Sequence, residues 1–150
     1  MEVFSIKFNY VDMLNQFLTN IFILKNNLSN LHFNVKGEGA TSLHQELGND
    51  IDKINMVYDS LAELIKKIGG YPIMNLEEIK NVSTIKEISS KDYTTQEVNS
   101  ILLKDLMLIN NMNNQVGEYA LKNYDLSSIN LVLDFNKYLS KRIWFLKMDK

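Results

Sequence analysis

The sequence predicts an all-α protein: a four-helix bundle with a short extra helix in the link between the second and third long helices. Apolar residues recur at steps of three and four along four long stretches, as they do in amphipathic helices. The 150 residues include only six glycines and one proline, which is too few for the turns of many short strands. This length suits one domain, so we expect a single domain over residues 1–150, with 1–9 as an extended tail that packs on a neighbour.

The first predicted helix covers residues 10–35, where the apolar positions form a wide stripe. The glycines of segment 37–39 end it, because they permit the positive φ angles of a tight reversal. Thr41 or Ser42 is expected to cap the second helix through its hydroxyl. That helix ends at the glycine pair 69–70, and the only proline follows shortly after, as is common beyond a helix C-terminus.

The second half of the chain begins with the short connecting helix, predicted over residues 75–82. Residues 83–93 are polar and are expected to form a loop. The third and fourth long helices follow, and each begins with a side chain that can accept a backbone hydrogen bond. The expected caps of these three helices are Asn75, Thr94 or Thr95, and Asp125 or Ser127.

Composition excludes several classes of function. There are no cysteines, so thiolate metal sites, disulfides and cysteine catalysis are ruled out. The formal net charge of −2 is unlike the basic surface that binds nucleic acid. No apolar run is long enough to span a membrane, and the first residues lack the pattern of a signal peptide. We therefore expect a cytoplasmic protein without membrane association.

The two histidines of the chain are placed symmetrically about the glycine turn. His32 and His44 are equidistant from Glu38, and equidistant positions lie level with each other in an antiparallel hairpin. The pattern predicts neighbouring imidazoles, which are good ligands for first-row metals. Two unrelated structural histidines, one at a helix end and one near a cap, remain the alternative.

A carboxylate pair lies further along the second predicted helix. Asp59 and Glu63 are four residues apart and therefore share one helix face. Like charges at this spacing repel each other mildly, and a bound cation would offset that repulsion. The alternative is a solvated face on which Lys66 and Lys67 neutralise the pair.

The distance along the helix decides how these residues could form one site. His44 and Asp59 are separated by fifteen residues, or roughly 22 Å of helix. Metal ligands lie within about 2–2.5 Å of the ion, so one chain cannot supply all four. An antiparallel pairing of two second helices would bring His44 of one chain to the carboxylates of the other and make two equivalent sites.

These residues lie in motifs that resemble those of the Dps family, the mini-ferritins. The segment HFNVKG is followed by LH, then by DSLAE and IGGYP. The resemblance implies a ferritin-like bundle and a homo-oligomeric shell, usually of twelve subunits. It also implies oxidation of Fe²⁺, commonly by hydrogen peroxide, and deposition of ferric mineral inside the shell. His32, His44, Asp59 and Glu63 would be the iron ligands and catalytic residues, shared between two-fold related subunits.

The chain departs from the family pattern at several positions. Gly48 stands where an acidic residue is common, which puts a second iron position in doubt. Phe33 replaces a usual tryptophan. Asp125 and Asp134 are the acidic residues available near the family's three-fold iron pores, although capping also accounts for Asp125.

A basic cluster on the last helix comprises Lys137, Lys141, Arg142, Lys147 and Lys150. We interpret it as a solvated face and predict weak or no DNA binding.

Three functions follow from these patterns. The first is an iron-storing ferroxidase that uses the four named residues. The second is a Dps-like shell that coats DNA and oxidises iron weakly or not at all. The third is a helical scaffold without metal chemistry. Retention of all four ligand residues favours the first.

Overall fold

The computed structural model describes the backbone of residues 2–149 and the side chains of residues 10–149. The predicted all-α bundle is confirmed, and the extra short helix lies in the link between the second and third long helices. In chain order the elements are α1 (Glu2–Asn34), β1 (Val35–Lys36), α2 (Ala40–Lys67), α3 (Leu76–Val82), β2 (Tyr93–Thr94), α4 (Thr95–Lys122) and α5 (Leu126–Met148).

The N-terminus differs from the sequence-based prediction. Helix α1 begins at Glu2, so the backbone of residues 2–9 is helical rather than an extended tail. The side chains of residues 1–9 lie outside the described part of the structure, as does the predicted packing of this segment on a neighbour. The described part of α1 packs mainly against α2, and α4 packs mainly against α5.

The chain reverses between α1 and α2 before it reaches the predicted caps, Thr41 and Ser42. Gly37 and Gly39 adopt φ angles of 104° and 80°, and the amide of Ala40 donates to the carbonyl of Gly37 at 3.1 Å. Gly39 itself is the N-cap of α2, without a side-chain hydrogen bond. The prediction of Thr41 or Ser42 as the cap is therefore wrong, because the reversal is complete before either residue.

The other three predicted helix starts are correct. Asn75 accepts a backbone hydrogen bond at the start of α3. Thr94, rather than Thr95, caps α4 in a capping box with Glu97, through two hydrogen bonds of 3.1 Å. Asp125, rather than Ser127, caps α5. These polar side chains satisfy amides that the first turn of a helix leaves without partners.

A short parallel pairing that the periodicity did not predict joins the two halves of the bundle. Val35 pairs with Tyr93, and Lys36 pairs with Thr94. The strands are two residues each, and β2 occupies the end of what was predicted to be a loop. This pairing attaches the end of α1 to the beginning of α4, so it holds the histidine-bearing turn against the second helix pair.

Asparagines on α1 hold the link between α2 and α4. Asn15, Asn20 and Asn27 are all buried. Each accepts a backbone N–H of segment 73–88. Asn15 also donates to the carbonyl of Tyr71, and Asn27 donates to that of Lys86. Buried amides require such partners. The link therefore packs on α1 in one defined path, although it is largely irregular.

The apolar core runs the length of the bundle and lies between all four long helices. Among the described residues, no helix is long and apolar enough to cross a membrane. The largest fully buried side chains of the core are Phe135, Leu14, Leu18, Ile21, Ile23, Leu24, Leu28, Leu31, Leu47, Ile54, Leu61 and Ile65.

Candidate metal centre

The two histidines meet across the hairpin, as the symmetric spacing predicted. The ring centroids of His32 and His44 are 3.8 Å apart, and the ring planes are inclined by 15°. His32 Nδ1 lies 2.7 Å from the carbonyl oxygen of His44, and His44 Nδ1 lies 2.7 Å from the carbonyl oxygen of His32. Each imidazole is therefore held by the main chain of the opposite helix.

This reciprocal arrangement determines which nitrogen is available to a metal. A carbonyl oxygen only accepts hydrogen bonds, so each Nδ1 must carry the proton that it donates. In a neutral ring, Nε2 then keeps its lone pair, which is the form that binds metals. The hydrogen bonds also orient both rings before any ion arrives, and Nε2 of a neutral imidazole is a good donor to a first-row metal.

Gly48 lies beside this pair and is in close contact with the His32 ring. A Cβ atom built at Gly48 would lie 3.4 Å from Cε1 of His32, so residue 48 directly adjoins the ring. Phe33 packs edge-on against the same ring at 4.9 Å and is 76% exposed. The His32 ring thus borders both a glycine backbone and an exposed aromatic side chain.

Asp59 and Glu63 lie on the exposed side of α2. Among the described residues, no salt bridge includes either carboxylate. Lys66, a partner in the alternative interpretation, instead lies over the ring of Tyr71 at 4.4 Å. The neutralising lysine pairing is therefore not formed within the chain, and both carboxylates remain available to an outside cation.

The histidines and the carboxylates are not brought together in one chain. Helix α2 is continuous from Ala40 to Lys67, so the roughly 22 Å between His44 and Asp59 is retained. Within the described part of the chain, no three histidine, aspartate or glutamate side chains form a cluster that could hold a metal. The candidate ligands thus form two separate groups, one toward each end of α2.

A different carboxylate on α2 is fully engaged inside the chain. Asp50 is buried and receives bonds of 2.9–3.1 Å from Nε and Nη2 of Arg142, together with a hydrogen bond from the Tyr138 hydroxyl. Burial and the nearby Asp50 carboxylate raise the pKa of Tyr138. Sequence periodicity did not reveal this cluster, although Asp50 falls on the inward side of α2.

This cluster corrects the interpretation of the basic residues on α5. Arg142 is not part of a solvated face, because its side chain is only 12% exposed. Lys137, Lys141 and Lys147 are exposed, as expected. Lys150 lies outside the described residues. One of the five expected surface cations is therefore used to hold α5 against α2.

The two acidic candidates for an iron pore both have partners within the chain. Asp125 caps α5 and also accepts a hydrogen bond from the Ser128 hydroxyl. Asp134 forms a salt bridge of 2.8 Å with Lys53 of α2. Capping, the simpler interpretation of Asp125, is confirmed.

Comparison with known proteins agrees with this architecture. A family model for the ferritin-like domain matches residues 11–148. The DNA protection during starvation protein of Bacillus anthracis is 26% identical over 137 residues, which are 91% of this chain and 93% of that relative. The protein of the same name from Helicobacter pylori is 23% identical over 136 residues, or 91% and 94% of the two chains.

Solved structures show the same similarity. The crystal structure of Dps from Staphylococcus aureus has a TM-score of 0.86 and 28% identity, and the match covers 93% of each chain. A Dps protein from Bacillus brevis gives a TM-score of 0.89 at 25% identity, with 96% of each chain covered.

The chain belongs to the ferritin-like family. Within that family, its resemblance to the Dps proteins is confirmed. Family membership supports a role in iron storage and protection.

Proposed function

We propose that this protein oxidises Fe²⁺ and stores the ferric product in a homo-oligomeric shell, usually of twelve subunits in Dps proteins. His32 and His44 of one subunit would bind the iron together with Asp59 and Glu63 of a partner. The observation that carries the proposal is the division of α2 into two half-sites. One presents oriented imidazoles, and the other presents carboxylates without a partner among the described residues.

Two-fold pairing would bring these halves together without a change in the fold of either subunit. When two α2 helices lie antiparallel, His44 of each faces the Asp59–Glu63 segment of the other. Symmetry then produces two identical sites per pair. Iron is the substrate here, and the donor set of imidazoles and carboxylates suits it. The carboxylates favour the more highly charged ferric ion, which lowers the free energy of oxidation.

Hydrogen peroxide is the proposed oxidant. Two Fe²⁺ ions each lose one electron, and one peroxide takes up both electrons and two protons to become two waters. The O–O bond breaks, and the Fe³⁺ ions pass into the shell cavity as mineral. This reaction consumes both reagents that would otherwise form hydroxyl radicals.

Oxidation kinetics test the proposal. Fe²⁺ is added to the protein without oxygen, peroxide follows, and the ferric absorbance is recorded. We expect rapid oxidation by the unmodified protein and a loss of at least tenfold in D59A/E63A. The matched variant E77A/E87A removes two exposed carboxylates elsewhere and should keep the rate. Oxidation no faster than in protein-free buffer would refute the ferroxidase function, and a stable monomer by mass measurement would refute the shared site.

A DNA-coating shell is the second candidate, because the relatives are named for DNA protection. We expect weak or no binding here, since Arg142 is withdrawn from the surface to pair with Asp50 and DNA affinity is built from free Lys and Arg. Electrophoresis of DNA with the purified protein at physiological salt tests this expectation. Retarded migration would favour the DNA-coating function.

A further inference from the structure

The cluster of Tyr138, Asp50 and Arg142 between α2 and α5 carries a further inference. It rests on the proposed function, because the oxidation of Fe²⁺ by peroxide is the source of its oxidant. We propose that Tyr138 is redox-active: it gives one electron to peroxide when only one Fe²⁺ is at hand, and its hydroxyl proton moves to Asp50. Three observations support this proposal: the partner of the phenol, the cavity that reaches it, and its position across α2 from the histidines.

The Tyr138 hydroxyl has a buried carboxylate as its direct partner. It donates to Oδ1 of Asp50, and Asp50 is 3% exposed. Burial raises the pKa of Tyr138, so the phenol carries its proton at neutral pH. Loss of an electron alone would place a new positive charge on a largely buried ring, which is costly. Transfer of the proton to Asp50 leaves a neutral radical instead.

The cluster can take up that proton without leaving Arg142 unpaired. Protonated Asp50 is neutral and no longer compensates the guanidinium. Nη2 of Arg142 also lies 3.5 Å from Oε2 of Glu46, so a second carboxylate remains as its counter-charge. A buried ion that keeps a partner avoids the large penalty of an isolated charge.

Other tyrosines have surroundings that favour oxidation less. Tyr93 donates to a main-chain carbonyl, which is a much weaker base than a carboxylate. Tyr58 has the Lys25 ammonium over its ring at 5.0 Å, and a cation so close opposes the removal of an electron. Tyr10 donates to the Ser128 hydroxyl at 2.6 Å, and its contact with a carboxylate is longer, 3.4 Å.

A cavity makes the phenol accessible to small molecules. It has a volume of about 610 Å³ and lies between α2, α4 and α5, and its lining includes Tyr138, Arg142 and Phe145. A water molecule occupies roughly 30 Å³ in the liquid, so water and small oxidants fit this space. A diffusing one-electron oxidant can therefore reach the phenol without unfolding the bundle.

The phenol lies across α2 from the histidines. A Cβ atom at Gly48 would be 3.4 Å from Cε1 of His32, so this side of the helix adjoins the imidazole. Asp50 is two residues further along, about 200° around the helix, and so faces the opposite side. The separation is about one helix diameter, roughly 10–12 Å. An electron can cross such a distance by tunnelling, whereas a proton cannot, and the proton therefore needs a local acceptor.

Electrons, protons and bonds balance in the proposed step. One Fe²⁺ and Tyr138 each give one electron to peroxide, which takes two protons from solvent and becomes two waters as its O–O bond breaks. The O–H bond of Tyr138 breaks, and Asp50 holds that proton. A later Fe²⁺ returns the electron to Tyr138 and becomes Fe³⁺, and the proton moves back. No hydroxyl radical is released, even when iron arrives one ion at a time.

Radical detection in the iron-free protein tests the residue. Azide radicals from pulse radiolysis take single electrons from phenols and indoles, and electron paramagnetic resonance of frozen samples records the tyrosyl radical. Y138F should give a tyrosyl signal at least twofold smaller than that of the unmodified protein. The matched control is Y93F, which alters a tyrosine that is 4% exposed and should keep the signal. Equal signals from Y138F and the unmodified protein would overturn the proposal.

Two variants at Asp50 test the proton acceptor. D50N/R142Q removes both charges together and so leaves no buried ion unpaired, and circular dichroism reports whether it folds. Tyr138 is retained, yet its signal should fall to the level of Y138F. D50E keeps a carboxylate and should keep the signal. A full signal from folded D50N/R142Q would overturn the role of Asp50, and Y138F decides alone if the double variant does not fold.

A spin trap for hydroxyl radicals connects the residue to iron. When peroxide is mixed with one Fe²⁺ per chain, Y138F should release at least twice as much trapped radical as the unmodified protein or Y93F. Equal amounts, in proteins that oxidise iron, would overturn the proposal. If the unmodified protein does not oxidise iron, the proposed function fails, whereas the iron-free measurement still decides whether Tyr138 is redox-active.

Discussion

Helix α2 carries two kinds of carboxylate, which differ in burial and in their partners within the described part of the chain. Asp50 faces inward, is 3% exposed and is paired in bidentate fashion with Arg142. Asp59 and Glu63 face outward and have no salt bridge among the described residues. The first carboxylate holds α2 against α5. The other two form no salt bridge within the described part of the chain, which leaves them available to a metal.

The difference shows that an aspartate cannot be assigned a role by its presence on a helix. A buried charge persists only when a partner compensates for its lost hydration. An exposed carboxylate keeps its hydration and needs no partner within the chain, so it is available to bind a metal ion. Asp105 on α4 is intermediate, since it is partly buried and burial raises its pKa to about 6. Four predictions test this contrast, from the largest expected effect to the smallest.

Removing the inward carboxylate should cause the largest loss. We expect D50A to lower the free energy of unfolding by about 3 kcal/mol, because the largely buried Arg142 would keep only the exposed Glu46 carboxylate, 3.5 Å away, as a counter-charge. Denaturant unfolding followed by circular dichroism measures the change. D134A removes an exposed partner of Lys53 and should cost about 1 kcal/mol or less. Equal losses in the two variants would contradict the contrast between buried and exposed pairs.

Removing the outward carboxylates should affect stability only when metal is present. We expect D59N/E63Q to match the unmodified protein without metal, within about 0.5 kcal/mol. Co²⁺ at about a hundred times its dissociation constant should stabilise the unmodified protein by about 2.7 kcal/mol. Thermal unfolding with and without Co²⁺ should show that shift lost in D59N/E63Q. A full Co²⁺ shift in the variant would exclude these residues as ligands.

The Tyr138 hydroxyl should contribute a smaller amount. We expect Y138F to lower the free energy of unfolding by about 1.5 kcal/mol, because Asp50 loses one charge-assisted hydrogen bond while Arg142 still compensates its charge. Denaturant unfolding again measures the change. Tyr124 is 87% exposed, so Y124F should be neutral. A neutral Y138F would show that Arg142 alone satisfies Asp50.

Asp105 should give the smallest effect, one that depends on pH. Burial raises the pKa of Asp105 from 3.8 to about 6, so its charged form is less favourable in the folded than in the unfolded chain. The cost is small below pH 4, grows between pH 4 and 6, and is complete above pH 6. We therefore expect D105N to be more stable than the unmodified protein at pH 7.5, by about 1 kcal/mol after allowing for solvent screening.

Thermal unfolding at two pH values measures this difference. The advantage of D105N should largely disappear at pH 4.5, while E87Q, which alters an exposed carboxylate, should show no such pH dependence. An advantage for D105N that is equal at both pH values would mean that the charge of Asp105 is not its cause.

Much of the architecture could be predicted because its causes are local. Apolar periodicity identified the four long helices, and capping side chains identified the starts of α3, α4 and α5. The meeting of His32 and His44 also followed from counting residues on either side of a glycine turn. Helix formation, capping and hairpin symmetry involve neighbours in sequence, so the residues themselves carry the information.

The errors involve contacts between residues distant in sequence. The β1–β2 pairing joins residues 35–36 to 93–94, and two residues carry no recognisable strand period. The reversal at Gly39, which made the hydroxyl caps of α2 unnecessary, is the exception, because it is a local turn. The burial of Arg142 depends on how closely α5 approaches α2, which composition does not reveal. In the β1–β2 pairing and the burial of Arg142, the deciding contact is a product of packing.

By itself, the sequence indicated an all-α bundle, placed the two histidines level with each other across a hairpin, and showed that one chain cannot join them to Asp59 and Glu63. The rise of an α-helix is the same in every protein, so spacing alone implied that separation. Only the tertiary structure decided that each Nδ1 is held by the opposite carbonyl and that Asp50 is used internally. Those facts depend on side-chain direction and burial, which are set when the helices pack.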